Sequence, residues 1–302
     1  MGAIGIIKNN CRRIRDLYHW LKMFRQRRDC YFIKNKNIIE KQCEDETYRK
    51  FLKKYGETIR LGIEADTPPQ KNDIVWILWL QGIEEAPPLV QACIASVRKN
   101  MKGKRIIILT ADIIQQYVNL PDFVYLKRKQ GIISNAHFSD LVRVSLLCDH
   151  GGIWCDATVL LTETPPSFMT DDPLFVFKSM DLARYDLNPT VCSSWYISSW
   201  SNQRILLLTR KLLLDYWKTE DKIDNYYIFH VFLAMAARRY PDDWNRIPFF
   251  NNHSPHTLQF ELNDQYTQER WQQILNMSPI HKLNHHIEYL KSGTFYGRIL
   301  DE

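Results

Sequence analysis

Residues 73–80 (DIVWILWL) and 104–109 (KRIIIL) are short, nearly continuous apolar runs, rich in Ile and Val. Runs of this length and β-branched content predict strands buried on both faces. Between them, Pro87 and Pro88 open an amphipathic segment that reaches about Arg98 and predicts a helix. A strand, a helix and a second buried strand form a crossover unit, which requires a parallel pair within an α/β sheet. The Pro68-Pro69 pair just upstream marks a boundary.

The alternation continues with a short helix predicted over 111–118, a helix over 139–149 and a strand over 153–161. Strands are expected near Phe175 and Tyr196, and helices over 203–217, 226–239 and 265–275. The last third is therefore richer in helix than in crossover units. Residues 40–55 also read as a helix. The expected architecture is a helical, basic segment over 1–70, then one α/β domain over 71–302 with helical additions at its C-terminal end.

Charge is concentrated at one end. Residues 1–36 hold ten Lys and Arg against Asp16 and Asp29, a net +8 in a chain whose whole net charge is +6. The body is thus slightly acidic, which argues against a nucleic-acid-binding surface. Within 4–24, Ile7, Cys11, Ile14, Tyr18, Leu21 and Phe24 recur at helical spacing among Arg12, Arg13, Arg15, Lys22 and Arg25. This pattern fits a basic amphipathic helix, either packed on the domain or lying on an anionic membrane surface. No apolar run is long enough to span a bilayer, and the first residues lack a signal-peptide pattern. Seven cysteines without a CxxC pair fit reduced, structural thiols. The expectation is a cytoplasmic protein, peripheral at the inner face of the membrane.

The stretch SDLVRVSLLCDHGGIWCDAT (139–158) carries the chemistry. Asp140 and Arg143 are three apart and share a helix face. Gly151-Gly152 permits a positive-φ turn, and a strand then delivers Asp156 near its carboxyl end. Ligands of open α/β sheets sit outside those ends. Taken singly, each feature also has a plain reading: a helical ion pair, a helix stop and a turn cap. Their order within twenty residues favours a site.

That order, SDxxRxxxLxxxGG followed by an aromatic residue and xD, resembles the GT-A glycosyltransferases of the sugar-binding DXD family and the large clostridial glucosylating toxins. The variant GGIWCDATVLL is similar to the capsular polysaccharide synthesis branch. So are the segments at 77–82 (ILWLQG), 136–140 (AHFSD), 225–230 (NYYIFH) and 281–283 (HKL). The resemblance runs from about Asp73 to Leu283 and leaves the first seventy residues uncovered.

The resemblance implies a GT-A, Rossmann-like mixed sheet flanked by helices. It also implies transfer of a sugar from a nucleoside-diphosphate donor, a UDP sugar, with retention, to a lipid-linked glycan. It places Trp79 against the base and assigns Gln81, Gly82, Ser139, Gly151, Gly152, Thr158 and Lys282 to the donor. Asp140, Arg143 and Asp156 hold the reacting sugar and diphosphate. Trp195, Tyr226 and His230 fall to the acceptor. Manganese or magnesium is implied, held by Asp156 and His281. Thr158 stands where many relatives carry a second acid, and a hydroxyl is a weaker ligand than a carboxylate. A nucleotide-sugar-binding pseudoenzyme and a structural partner of a polysaccharide assembly complex are the alternatives. His253 and His256 read as loop.

Overall fold

In the computed structural model, residues 36–179 and 189–301 are described, with side chains from residue 43 onward. The basic helix expected over 4–24 lies outside the described residues, as do Cys11 and Cys30. The first described element, α1 (Lys36–Leu61), is longer than its sequence pattern suggested.

Strands β1 (Ile74–Leu78), β2 (Arg105–Leu109), β3 (Gly152–Cys155), β5 (Leu174–Lys178) and β6 (Cys192–Ser199) form one sheet in the order β2-β1-β3-β6-β5. β1 is parallel to both β2 and β3. β6 is antiparallel to β3 and to β5, so the sheet is mixed. The crossover from β1 to β2 runs through α2 (Pro88–Asn100), with its proline at the first turn as the sequence pattern requires.

Alternation along the strands separates two cores. Trp76 and Trp154 face one layer, built from α1, α3 (Asp122–Lys129), α4 (Asn135–Asp149), α5 (Arg204–Thr219) and α6 (Ile228–Arg239). Val75, Ile77, Ile153 and Cys155 face the other, against Val90, Ile94 and Val97 of α2. A third cluster joins Leu89 and Cys93 of α2 to Trp271, Ile274 and Phe295 of the C-terminal helices. The main core draws on residues from both sides of residue 70: Phe51 of α1 is fully buried and stacks on Phe232 of α6 at 4.8 Å.

Two local expectations change. The helix expected over 111–118 is a single 3-10 turn, Ile114–Gln116. The strand expected over 153–161 is two strands: β3 belongs to the main sheet, whereas β4 (Val159–Leu161) pairs antiparallel with β7 (Ile280–Lys282). The chain turns between them, with Val159 N–H donating to Asp156 C=O at 2.9 Å. That turn presents residues 156–158 at the carboxyl end of β3.

Candidate active site

A cavity of about 890 Å³ opens at the carboxyl ends of β1 and β3. Leu78, Trp79, Leu80 and Gln81 extend β1 into its wall, and Asp156, Ala157 and Thr158 extend β3. Because β6 runs antiparallel, its start, Cys192 to Trp195, reaches the same end of the sheet. Helix α4 supplies Ser139, Asp140 and Arg143. Its first turn is capped by Ser134, whose hydroxyl accepts from His137 N–H.

Arg143 is 5% exposed and stands at the centre of the polar network. Its Nη1 donates to Asp140 Oδ1 at 2.5 Å, one helical turn earlier, and its Nη2 to Asp156 Oδ1 at 3.2 Å. Trp154 Nε1 donates to the same Asp156 oxygen at 2.8 Å. The guanidinium also lies over the rings of Trp154 and Phe229, with centroids at 4.9 and 5.3 Å. Helix and strand thus hold both carboxylates through one planar cation, a geometry that lysine could not reproduce. Burial pushes the Asp140 carboxyl up to about 6, against the pull of Arg143.

β7 contributes Lys282. Leu283 N–H donates to Thr158 C=O at 2.9 Å, which registers the end of β7 beside the 156–158 turn. The Lys282 ammonium donates to Thr158 Oγ1 and, at 3.2 Å, to Leu283 C=O, and it lies 3.8 Å from Asp156 Oδ2.

Strand alternation turns the preceding residue away. His281 is fully buried and does not line the cavity, and its Nε2 meets Thr162 Oγ1 at 3.3 Å. It is therefore out of place as a metal ligand beside Asp156. Beside Asp156 a divalent cation is a poor fit: Thr158 is a neutral hydroxyl, and a lysine ammonium occupies the space facing Thr158 and Asp156 Oδ2. No group of three or more His, Cys, Asp or Glu suited to a metal ion occurs among the described residues.

The other expected residues divide in two. Trp79, Gln81, Ser139, Thr158, Lys282, Trp195, Tyr226 and His230 line the cavity with Asp140, Arg143 and Asp156. Gly82, Gly151 and Gly152 do not. Gly82 turns the chain just beyond Gln81 with φ +89°. Gly151 and Gly152 lie at the opposite end of β3 from Asp156, and their freedom serves packing. A Cβ on Gly152 would stand 2.4 Å from Ile74 C=O, and one on Gly151 2.7 Å from Ser201 N.

His230, behind Arg143, is held neutral, its pKa lowered to about 4 by burial and by the neighbouring guanidinium. Trp79 meets His285 edge-on at 5.3 Å.

Several wall residues carry no sequence signal. Ser193 precedes Trp195 on β6, and Asn252 and His256 belong to the segment read as loop. A bridge between Lys178 and Asn251 brings that segment to the sheet edge. Asn252 Nδ2 donates to Ser193 Oγ at 3.1 Å, and His256 Nδ1 donates to Asn252 C=O at 2.6 Å.

Among the described residues, nine buried side-chain polar atoms lack a partner. Five belong to residues of this one wall: Trp79 Nε1, Arg143 Nε, Trp195 Nε1, His230 Nδ1 and Asn252 Oδ1. Buried polar groups are normally paired, and these five atoms are covered by their surroundings even though their residues line the cavity.

The fold and site together define an α/β protein with a polar, charge-paired cavity at its strand ends. A family model described as "capsular polysaccharide synthesis protein" matches residues 27–299. The chain belongs to that family, and the match begins well ahead of residue 73, where the motif resemblance began. No curated protein sequence matches the chain. A solved structure titled "PaToxG Glycosyltransferase" is similar over 80% of this chain and 95% of that one, at 14% identity and a TM-score of 0.36.

Proposed function

We propose that the protein transfers a glycosyl group from a nucleoside-diphosphate sugar, a UDP sugar, to a hydroxyl of a lipid-linked capsular or exopolysaccharide unit. The observation that carries this reading is the Asp140–Arg143–Asp156 network, held at the carboxyl ends of parallel strands in a cavity lined by further polar side chains. The membership of the capsular polysaccharide family and the resemblance to GT-A enzymes agree with it.

Cleavage of the anomeric C–O bond builds positive charge on the sugar ring and negative charge on the departing diphosphate. Asp140 and Asp156 are placed to accept hydroxyl hydrogen bonds and to favour the cationic ring. Arg143 and Lys282 offer N–H groups to the diphosphate. Trp79 offers a ring to the base. Trp195, Asn252 and His256 supply the neutral donors and acceptors that sugar hydroxyls need. Transfer with retention requires no protein nucleophile if the leaving phosphate takes the proton of the attacking hydroxyl from the same face.

Purified protein offered a panel of nucleotide sugars, with free nucleotide as the readout, tests the reading. Turnover of any donor supports it. Thr158, in place of a second acid, motivates the competing reading of a nucleotide-sugar-binding pseudoenzyme, which binding without turnover would favour. A lipid-linked acceptor also calls for a membrane surface. No described helix is long and apolar enough to cross a membrane. Attachment is assigned to the basic residues 1–36, at about 1 kcal/mol for each charge in reach of anionic lipid. Co-sedimentation with anionic liposomes, lost in high salt or on removal of residues 1–36, is the expected result. Salt-resistant binding would contradict it.

A further inference from the structure

We infer that the Lys282 ammonium takes the place of a divalent cation, so that this protein binds a nucleoside diphosphate without a metal ion. The inference rests on the transfer reading above and concerns how the same site handles the charge of the leaving group.

Three observations carry it. Position 158, two residues after Asp156, is a threonine, whose neutral hydroxyl offers no anionic ligand of the kind a hard divalent ion prefers. The space beside it is filled from β7: Lys282 Nζ donates to Thr158 Oγ1 and faces Asp156 Oδ2 at 3.8 Å. A metal ion bridging residues 156 and 158 would meet that ammonium at close range, and two cations on a hydroxyl and one carboxylate oxygen repel each other. Finally, the two further candidates nearest this turn are committed elsewhere: His281 faces away on the same strand, and Asp140 is engaged by Arg143.

The ammonium is equipped for the task. It has three N–H groups. Two are used, on Thr158 Oγ1 and Leu283 C=O. No acceptor of the described residues lies within hydrogen-bond distance of the third, which is available to a phosphate oxygen. The register of β7 against β4 and the Leu283–Thr158 backbone bond fix the position of this cation beside Asp156. A charge preorganised in this way needs no recruitment from solution. Arg143, pinned between two carboxylates, has less charge to spare.

Calorimetric titration of UDP and GDP into the full-length protein, in EDTA and then in manganese, tests this directly. The expected result is the same affinity in both buffers for whichever nucleotide binds. Lys282→Met should weaken that binding by about 10- to 100-fold, the range for loss of a charged hydrogen bond. Lys282→Arg should recover part of it. Lys282→Ala combined with Thr158→Asp should restore affinity only when manganese is added. Binding that is lost in EDTA, or that is indifferent to Lys282→Met in a variant melting like the parent, would overturn the inference while leaving the transfer reading intact. Absence of nucleotide binding in every buffer would instead overturn the transfer reading, and this inference with it.

Discussion

The Arg143 guanidinium, carried on a helix, donates at 3.2 Å to the carboxylate of Asp156, carried on the turn that ends β3. The same group holds Asp140 at 2.5 Å, so one buried cation ties the helix to the sheet. Removing it leaves the largely buried Asp140 carboxylate without its counter-charge, under the repulsion of Asp156. Arg143→Met is expected to destabilise the fold by about 3 kcal/mol, in the range for breaking a buried pair. Asp140→Asn, which keeps shape and removes charge, should melt near the parent temperature while losing turnover by about 100-fold. Equal melting temperatures for Arg143→Met and the parent would show that the bridge is not structural.

Gly152 has φ +94°, and its missing side chain leaves room for Ile74 C=O on the adjacent strand. Gly152→Ala should lower the melting temperature strongly, because backbone must shift to admit the methyl. Nucleotide affinity of the surviving folded fraction should be unchanged. A stable variant with weakened nucleotide binding would return this glycine to the donor site.

Two tryptophans of one strand segment should separate by role. Trp76 is 1% exposed, and its Nε1 donates to Gly151 C=O at 2.9 Å. Trp76→Ala is expected to cost about 3–5 kcal/mol of stability. Trp79 lines the cavity, so Trp79→Ala should instead weaken UDP binding by about 1–3 kcal/mol, the scale of base stacking. Thermal melting and calorimetry of both variants decide the assignment. Unfolding of Trp79→Ala would make it a second core residue.

Acid should loosen the protein through His230 and, in the same sense, through His281, whose imidazole pKa is lowered by burial to about 4. The unfolded chain takes up its proton near pH 6.5, while the folded one resists until about 4. Stability from this group is therefore lost as pH falls from 6.5 to 4, by up to roughly 3 kcal/mol. Asp140 acts in the opposite sense. Its raised pKa of about 6 means that the folded state takes up a proton first, and stability gained from this group grows as pH falls below 6. His281→Phe isolates the histidine: its melting temperature should fall less steeply between pH 6.5 and 4. An unchanged slope would assign the acid sensitivity elsewhere.

The sequence carried the strands and the central helix because burial on both faces and helical periodicity are local signals. It also carried Asp140, Arg143 and Asp156, whose spacing within one helix and one strand end survives folding. The split of residues 153–161 was not legible. Both halves are apolar, and what separates them is a choice of partners, β6 for one and β7 for the other, more than a hundred residues away in the second case. His281 and Lys282 illustrate a further limit. They are adjacent, polar and plausible as ligands, and only the facing of β7 decides which one reaches the cavity. Gly151-Gly152 announced a place where no side chain fits, but what fills that space is neighbouring backbone and not a donor. Ser193, Asn252 and His256 come together through a single bridge at the sheet edge, which has no local signature.

If Asp156, at the meeting of Arg143, Trp154 and Lys282, serves the reacting sugar, its loss must show in turnover. The decisive measurement is turnover of Asp156→Ala with the donor accepted by the parent protein. The side chain is partly exposed, so the fold should persist. A parent-like melting curve is expected, with release of free nucleotide reduced by at least about 100-fold, the scale of a lost electrostatic contact at the reacting centre. A folded Asp156→Ala protein with near-parent turnover would contradict it.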